Sequence, residues 1–529
     1  MPVGVEVLAV RRPFRWVLVA ACLVLLLAGA AIFSIGRIPL SVDVLRQRVV
    51  QTLSERLEAE VELGDLSLRV FPQLHVEGTQ LTIRHKRRHD VPPLISIERF
   101  TVDASLGALW HEHVGRVSLV GLDIQIPPGN NDPSTRSSPS SDRSLANEVS
   151  PNRPRHDVVV DELVADEAKL TIIPRERDKK PKTWVMHELH VQNVGMDRQM
   201  PFRSNLTNAV PPGEIDTTGQ FGPWNRDDPS RTPLDGTFTF DRADLSVFKG
   251  ISGILAAHGT FAGSLGQIDV HGETDTPDFK VNLSGHAVPL KTTYRAIVDG
   301  TNGDTELDEV DASFLNTALV AKGGVFDVKG ADGRRVVLDI TIEKGRLEDI
   351  MRMAVNTPVP PMTGGLRLKT SFELPPGNVD VVEKLKLNGQ FMISGGRFTD
   401  PVVQRKINEL SQRASGKRLK EDPKKVASAF SGQFALGGGL LALPKLTFDV
   451  PGAVVYVNGR YALRRETLAF NGDLIMDAKL SQTTSGIKSL LLKIVDPLFR
   501  RNGRTVVPIR INGTRANPDF GLDVGRVFK

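Results

Sequence analysis

Through the second half of this chain, apolar and polar residues alternate with a period of two, and that pattern restricts it to β-sheet. Val336, Leu338, Ile340 and Ile342 fall on one side, with Val337, Asp339, Thr341 and Glu343 on the other. Leu366, Leu368, Phe372 and Leu374 alternate with Arg367, Lys369, Ser371 and Glu373. Leu385, Leu387, Phe391 and Ile393 do the same against Lys384, Lys386, Asn388 and Gln390, and Phe520, Leu522 and Val524 repeat the pattern near the end. Such strands have one apolar face and one wet face. Turn signals at Asn302-Gly303, Asp332-Gly333, Asn458-Gly459, Asn471-Gly472 and Pro375-Pro376-Gly377 predict an antiparallel meander of hairpins, with roughly 25–30 strands in all.

Composition narrows the function classes. Lys and Arg total 67 against 62 Asp and Glu, a formal charge of +5, too balanced for a dedicated nucleic-acid binder. One cysteine, Cys22, excludes internal disulfides, thiolate metal clusters and Cys-x-x-Cys chemistry.

The start of the chain reads as a membrane anchor. Trp16 to Ile35 is twenty residues without a charge, long enough to span a hydrocarbon core of about 30 Å. The anchor is placed at 14–36 and a cytoplasmic tail at 1–13, because Arg11, Arg12 and Arg15 precede the span and only Arg37 follows it. A cleaved signal peptide is the rival reading, since Ala28-Gly29-Ala30 fits a cleavage site; the apolar run is longer than such peptides use. About 490 residues then lie across the membrane, without a cysteine. Ser41 to Ala59 reads as an amphipathic helix with Val42, Leu45, Val49, Leu53 and Leu57 on one face.

The exported part divides into an N-terminal region (37–126), a linker (127–156), a central β region (157–400), short helices (401–430) and a C-terminal region (431–529). The linker holds six Pro and seven Ser. Asp400-Pro401 reads as an N-cap followed by Pro at N1, and Asp422-Pro423 as the start of another short helix. A basic amphipathic helix is expected at 486–500: Leu490, Ile494 and Leu498 share its apolar face, with Lys488 and Arg500 on the rim. G-x4-P-D-F occurs twice, at Gly272 to Phe279 and Gly513 to Phe520, and reads as a strand, a turn at proline and a new strand.

So few helices cannot cover so many apolar strand faces. A closed sandwich is one solution. The other is a curved sheet folded over its own apolar face, which leaves an aliphatic groove suited to acyl chains, at about 0.8 kcal/mol per buried CH2.

Arg56 to Gly78, containing Gly64-Asp65-Leu66-Ser-Leu and Phe71-Pro72, follows the anchor and precedes Pro93 to Ile97 and Val117 to Ile124. The tail carries Gly438 to Phe448, Val457 to Tyr461 and Pro508 to Thr514. This arrangement resembles the AsmA family, the AsmA/TamB-like periplasmic proteins, at both ends of the chain. The resemblance implies a mainly β fold: a long, curved and twisted antiparallel sheet forming an apolar groove (a β-taco), with an N-terminal transmembrane helix and a few short helices. It also implies a protein of the cell inner membrane, single-pass, with its N-terminus cytoplasmic and its bulk periplasmic. The implied activity is transfer of phospholipid along the groove towards the outer membrane, supporting outer-membrane integrity. The alternative is a scaffold for assembly of outer-membrane proteins, whose sheet edges template client strands.

The expected groove lining is Leu338, Ile340, Leu368, Phe372, Leu387, Phe391, Phe448, Val457 and Leu522. The expected partners are phospholipid acyl chains, the inner membrane and an outer-membrane or periplasmic protein met by the helix around Leu490, Ile494 and Leu498; no nucleic acid and no cofactor are expected. No catalytic motif is present: the chain lacks G-x-S-x-G, a phosphate loop, H-E-x-x-H and G-x-G-x-x-G, so no enzyme is expected. His111-Glu112-His113, the pair His187 and His190, and the acidic turn 299–304 read as solvated surface rather than metal sites. His85 to His89 reads as a basic loop.

Overall fold

Alternation in the sequence becomes strand in the computed structural model, which describes residues 42–523 apart from 58, 70–72, 86–91, 106–112, 127–158, 173–181, 196, 226–228, 301, 329, 332, 417–425, 480–499 and 502. The described chain is mainly β, 67% strand against 11% helix, so helices can shield only a fraction of the apolar strand faces. It forms two compact units, one made of residues 1–243, 258–270 and 298–302, the other of 244–257, 271–297 and 303–529.

The first unit begins with helix α1 (Val42–Leu57) and strands β1 (Ala59–Glu62), β2 (Leu66–Arg69), β3 (Leu74–His85), β4 (Ile95–Ala104), β5 (His113–Val120) and β6 (Asp123–Ile126). It continues through β7 (Val159–Ile172), β8 (Lys182–Val194), β9 (Met200–Asn208), β10 (Gly213–Phe221) and most of β11 (Pro233–Asp244). The sheet is mixed rather than purely antiparallel, because β5 and β6 both run parallel to β7. A tight turn can join only antiparallel neighbours; the long connection between Ile126 and Val159 lets the chain re-enter in the same direction.

Val49 and Leu53 of α1 are buried with Leu81, Ile83, Ile95, Ile97 and Phe100 in one closed core, and Arg46 donates from Nε and Nη2 to the Leu63 carbonyl at 2.9 and 2.6 Å. Here the covered face is fully buried. In β10 no residue is, and half-buried and exposed positions alternate. Replacing Leu53 by alanine should lower stability by about 2–5 kcal/mol, read as a shift in the urea midpoint; a change below about 0.5 kcal/mol would mean that α1 does not close this core.

The second unit carries β12 (Ile251–Ser252), parts of β13 (Ile254–Ser264), β14 (Gln267–Val281) and β15 (Ala287–Val298), then β16 (Thr305–Phe314), β17 (Thr317–Asp327), β18 (Arg334–Arg346), β19 (Met362–Leu374) and β20 (Lys386–Phe398). It ends with β21 (Ser428–Gly437), β22 (Leu440–Val450), β23 (Ala453–Ala462), β24 (Thr467–Met476), β25 (Arg500–Arg501), β26 (Arg504–Thr514) and β27 (Pro518–Leu522). From β16 to β24 successive strands pair antiparallel, and β26 and β27 continue the series.

Three helices lie in the connections: α2 (Leu347–Ala354), α3 (Val381–Lys384) and α4 (Pro401–Ala414). Asp349 of α2 is buried and accepts from the Asn316 amide at 3.0 Å and from Thr317 Oγ1 at 2.8 Å. Asp400 caps α4, accepting from the amides of Val402 and Val403, with Pro401 in the first turn. That helix turns a polar stripe inward. Gln404 bridges the Phe398 amide, Asn408 and the Val426 carbonyl, and Ser411 donates to the Pro451 carbonyl. Backbone groups left over where strands end are thereby satisfied.

Several sequence expectations change here. Asn458-Gly459 and Asn471-Gly472 are not turns; they lie inside β23 and β24, where Asn458 pairs with Asn471, Gly459 with Phe470 and Gly472 with Val457. The first G-x4-P-D-F copy lies within the single strand β14, whereas the second turns between β26 and β27. Phe430 is in β21 and not at the end of a helix. Leu385 caps α3 and is not a strand residue. Arg500 opens the short strand β25, paired with Thr505, and is not the last residue of a helix. The anchor 14–36, the linker 127–156, Asp422-Pro423 and most of 486–500, with Lys488, Leu490, Ile494 and Leu498, lie outside the described residues. Among the described residues, no helix is long and apolar enough to cross a membrane.

Candidate functional site

Directly paired residues of an antiparallel sheet share a face, so register converts single strands into ladders that run across the second unit. One ladder reads Ile342, Leu368, Phe391, Gly432, Leu446, Val457, Gly472, Ile509 and Leu522. Beside it runs Leu338, Phe372, Leu387, Leu436 and Leu441. Leu366, Ile393, Phe430, Phe448, Val455, Leu474 and Val507 form a third; the Phe430 and Phe448 rings are 4.7 Å apart. Ile340 pairs with Thr370, which pairs with Gly389. All nine residues expected to line a groove therefore share one face.

The opposite face is polar. Arg335 and Lys386 both reach Glu373, at 3.0 and 3.6 Å, and Lys369 lies 3.8 Å from Glu343. Exposed pairs of this kind contribute about 0–1 kcal/mol each; they mark the face that meets water.

The apolar face is only half covered. Leu338, Ile340, Leu368, Phe372, Leu387, Phe391 and Phe448 are all half-buried, unlike the sealed core under α1. Val457 is buried at 8% exposure, and Leu522 on the last strand is 52% exposed. Small fully buried clusters occur around Ile342, Leu347 and Met362, and around Ala414, Val450 and Met476.

Glycine allows close backbone approach on this face. A Cβ on Gly389 would overlap the Lys369 carbonyl oxygen, and one on Gly472 the Tyr456 carbonyl oxygen. Both Cβ positions fall on the apolar side by register, so glycine at 389 and 472 leaves room there for the neighbouring backbone. Segments distant in sequence also meet in this unit. The Lys249 carbonyl accepts from the Val381 amide at 2.8 Å, and Lys249 Nζ donates to the Asn378 carbonyl, 129 residues away, at 3.2 Å. Arg464 holds the same connection through Asp380 and Glu383 at 3.4 and 2.8 Å. The sequence reading did not find this junction. The close approaches did leave a signal: glycines in positions where the period-two frame calls for an apolar residue.

The face holds few hydrogen-bonding groups. Those in the ladders include Thr370, opposite Ile340, and Tyr461, opposite Leu441; on the half-buried side of β15, Thr292 Oγ1 is 2.7 Å from Thr274 Oγ1 of β14, and Tyr294 lies two residues on. Burial pushes the Tyr294 phenol above its usual value. Two open depressions of about 560 and 400 Å3 lie along β18–β22. Their walls mix Ile340, Leu368 and Phe391 with Asp339, Lys369, Gln390 and Gln433, which gives a small ligand no enclosed, uniform surface.

Among the described residues no group of three or more His, Cys, Asp or Glu is arranged to hold a metal. His113 pairs with Asp161 at 2.9 Å, His187 with Thr207 at 2.8 Å and His190 with Glu188 at 2.7 Å. In the acidic turn, Asp304 accepts from the Asp327 amide and from Arg334. No protein-family model, curated protein or solved structure matches the chain.

Proposed function

We propose that this protein carries phospholipid, its acyl chains lying along the apolar ladders of the second unit and its headgroup in water. The observation that carries this reading is a laterally continuous, half-covered aliphatic face along the ladders of the second unit; we take the sheet to curve over that face. A monomer rarely leaves so much contiguous apolar surface without a ligand for it. Acyl chains suit it because their burial demands no direction and no hydrogen-bond partner. The AsmA resemblance supports the same reading: a chain held at the inner membrane by residues 14–36, its bulk in the periplasm, passing lipid towards the outer membrane.

The reading is tested by purifying the full chain in a detergent that lipid can outcompete, extracting it with organic solvent and analysing the extract by mass spectrometry. Phospholipid in roughly stoichiometric amount or more is expected. An extract no richer in lipid than that of an unrelated single-span control would refute the proposal.

A further inference from the structure

We infer that the hydroxyls of Tyr294, Thr292 and Thr274 form a hydrogen-bonding ledge on the half-buried side of β15 that receives the ester carbonyl of a glycerolipid. This deepens the lipid-carrier reading and rests on it.

Thr292 and Tyr294 are neighbours on the half-buried face of β15, whose residues alternate between exposed and covered. Thr274 on β14 meets Thr292 directly, Oγ1 to Oγ1 at 2.7 Å. The Tyr294 ring lies across the strand over Gly272: a Cβ there would come within 2.5 Å of Oη and 2.6 Å of Cζ. Glycine at that position lets the phenol lie flat across the sheet.

Two hydroxyls that share one hydrogen bond still have a proton to donate. The Tyr294 hydroxyl has no partner among the described residues. With its phenol held above the usual range by burial, it is protonated at neutral pH and is a donor. The ledge therefore offers donors of its own, whereas in the β18–β23 ladders the Thr370 hydroxyl already donates to the Ser371 and Asn388 carbonyls and the Tyr461 hydroxyl is engaged with Arg515.

Hydrocarbon cannot use a donor. The acceptors that a phospholipid carries nearest its hydrocarbon are the ester carbonyls at the head of each acyl chain. A phosphate would call for a cation, but Lys291 and Arg295 alternate onto the exposed face of β15. The ledge thus discriminates ester-linked from ether-linked lipid and fixes where the glycerol backbone sits.

The test uses the purified full chain exposed to vesicles containing equal amounts of a diacyl phosphatidylethanolamine and its dialkyl ether analogue of the same chain length. Bound lipid is quantified by mass spectrometry. The wild type should favour the ester by about three- to tenfold, the range of one net hydrogen bond. Tyr294→Phe, which keeps the ring over Gly272, should bring the ratio close to one by lowering the amount of ester lipid bound while the ether lipid stays at its wild-type level. A Thr274→Val/Thr292→Val chain provides a second reading should Tyr294→Phe destabilise the fold. Lipid bound at an equal ratio by the wild type, or an ester preference retained by both variants, would overturn the ledge and leave the carrier reading intact. Absence of both lipids from the wild type would overturn the carrier reading and the ledge with it.

Discussion

Aspartate at both Leu368 and Phe391 should abolish lipid retention by the full chain, while the same change at the outward neighbours Lys369 and Gln390 should leave it intact. Leu368 and Phe391 are directly paired, the second and third members of the longest ladder. A carboxylate there forces an acyl chain either to desolvate a charge, at a cost of several kcal/mol, or to leave that stretch of the face, at about 0.8 kcal/mol per CH2. Either way bound lipid should fall more than tenfold. Both side chains are half-buried, so the carboxylates of the lipid-free protein can reach water, and the urea midpoint should shift by less than about 2 kcal/mol. Global unfolding of the double variant would indicate a packed sandwich interior at these positions.

Valine at Gly472 should destabilise the second unit by about 3 kcal/mol or more. Its Cβ would overlap the Tyr456 carbonyl oxygen and come within 2.6 Å of Val457 Cγ1. Both obstacles belong to the paired strand, so relief requires β23 and β24 to move apart here. Asn471→Val, one residue earlier and exposed on the other face, should stay within about 0.5 kcal/mol. Thermal unfolding of the two variants side by side measures the contrast. Equal, small effects would mean that the close approach of β23 and β24 at Gly472 is not part of the stable structure.

How far the sequence could be read follows from the range of the interactions involved. Alternation is local, and it sorted the residues of β18, β19 and β20 between the two faces as the registers do. The Asp400-Pro401 helix start is also local, and α4 begins there. Asn-Gly was misleading because two unlike requirements select glycine. At Asn302-Gly303 the turn needs a positive φ, and Gly303 has +79°. At Gly459 and Gly472 the need is room for a neighbouring backbone, which only cross-strand register reveals. Register is equally what placed Val457 and Leu522 in one ladder. The parallel entry of β7 and the Lys249–Val381 junction depend on contacts between residues far apart in sequence, and no local pattern encodes them. The hydroxyl ledge was hidden for the same reason: Thr274 and Thr292 are unremarkable until the hairpin sets them side by side.

The central claim, that lipid occupies one face of this sheet and not the other, is tested most directly by in-cell photocrosslinking at adjacent positions of a single strand. A photoreactive residue at Phe391 or Leu387 points to the apolar side; one at Gln390 or Asn388 points to the polar side. The account predicts phospholipid adducts from 387 and 391 and none above background from 388 and 390. Equal adduct yields from the two faces, or adducts from neither, would contradict it.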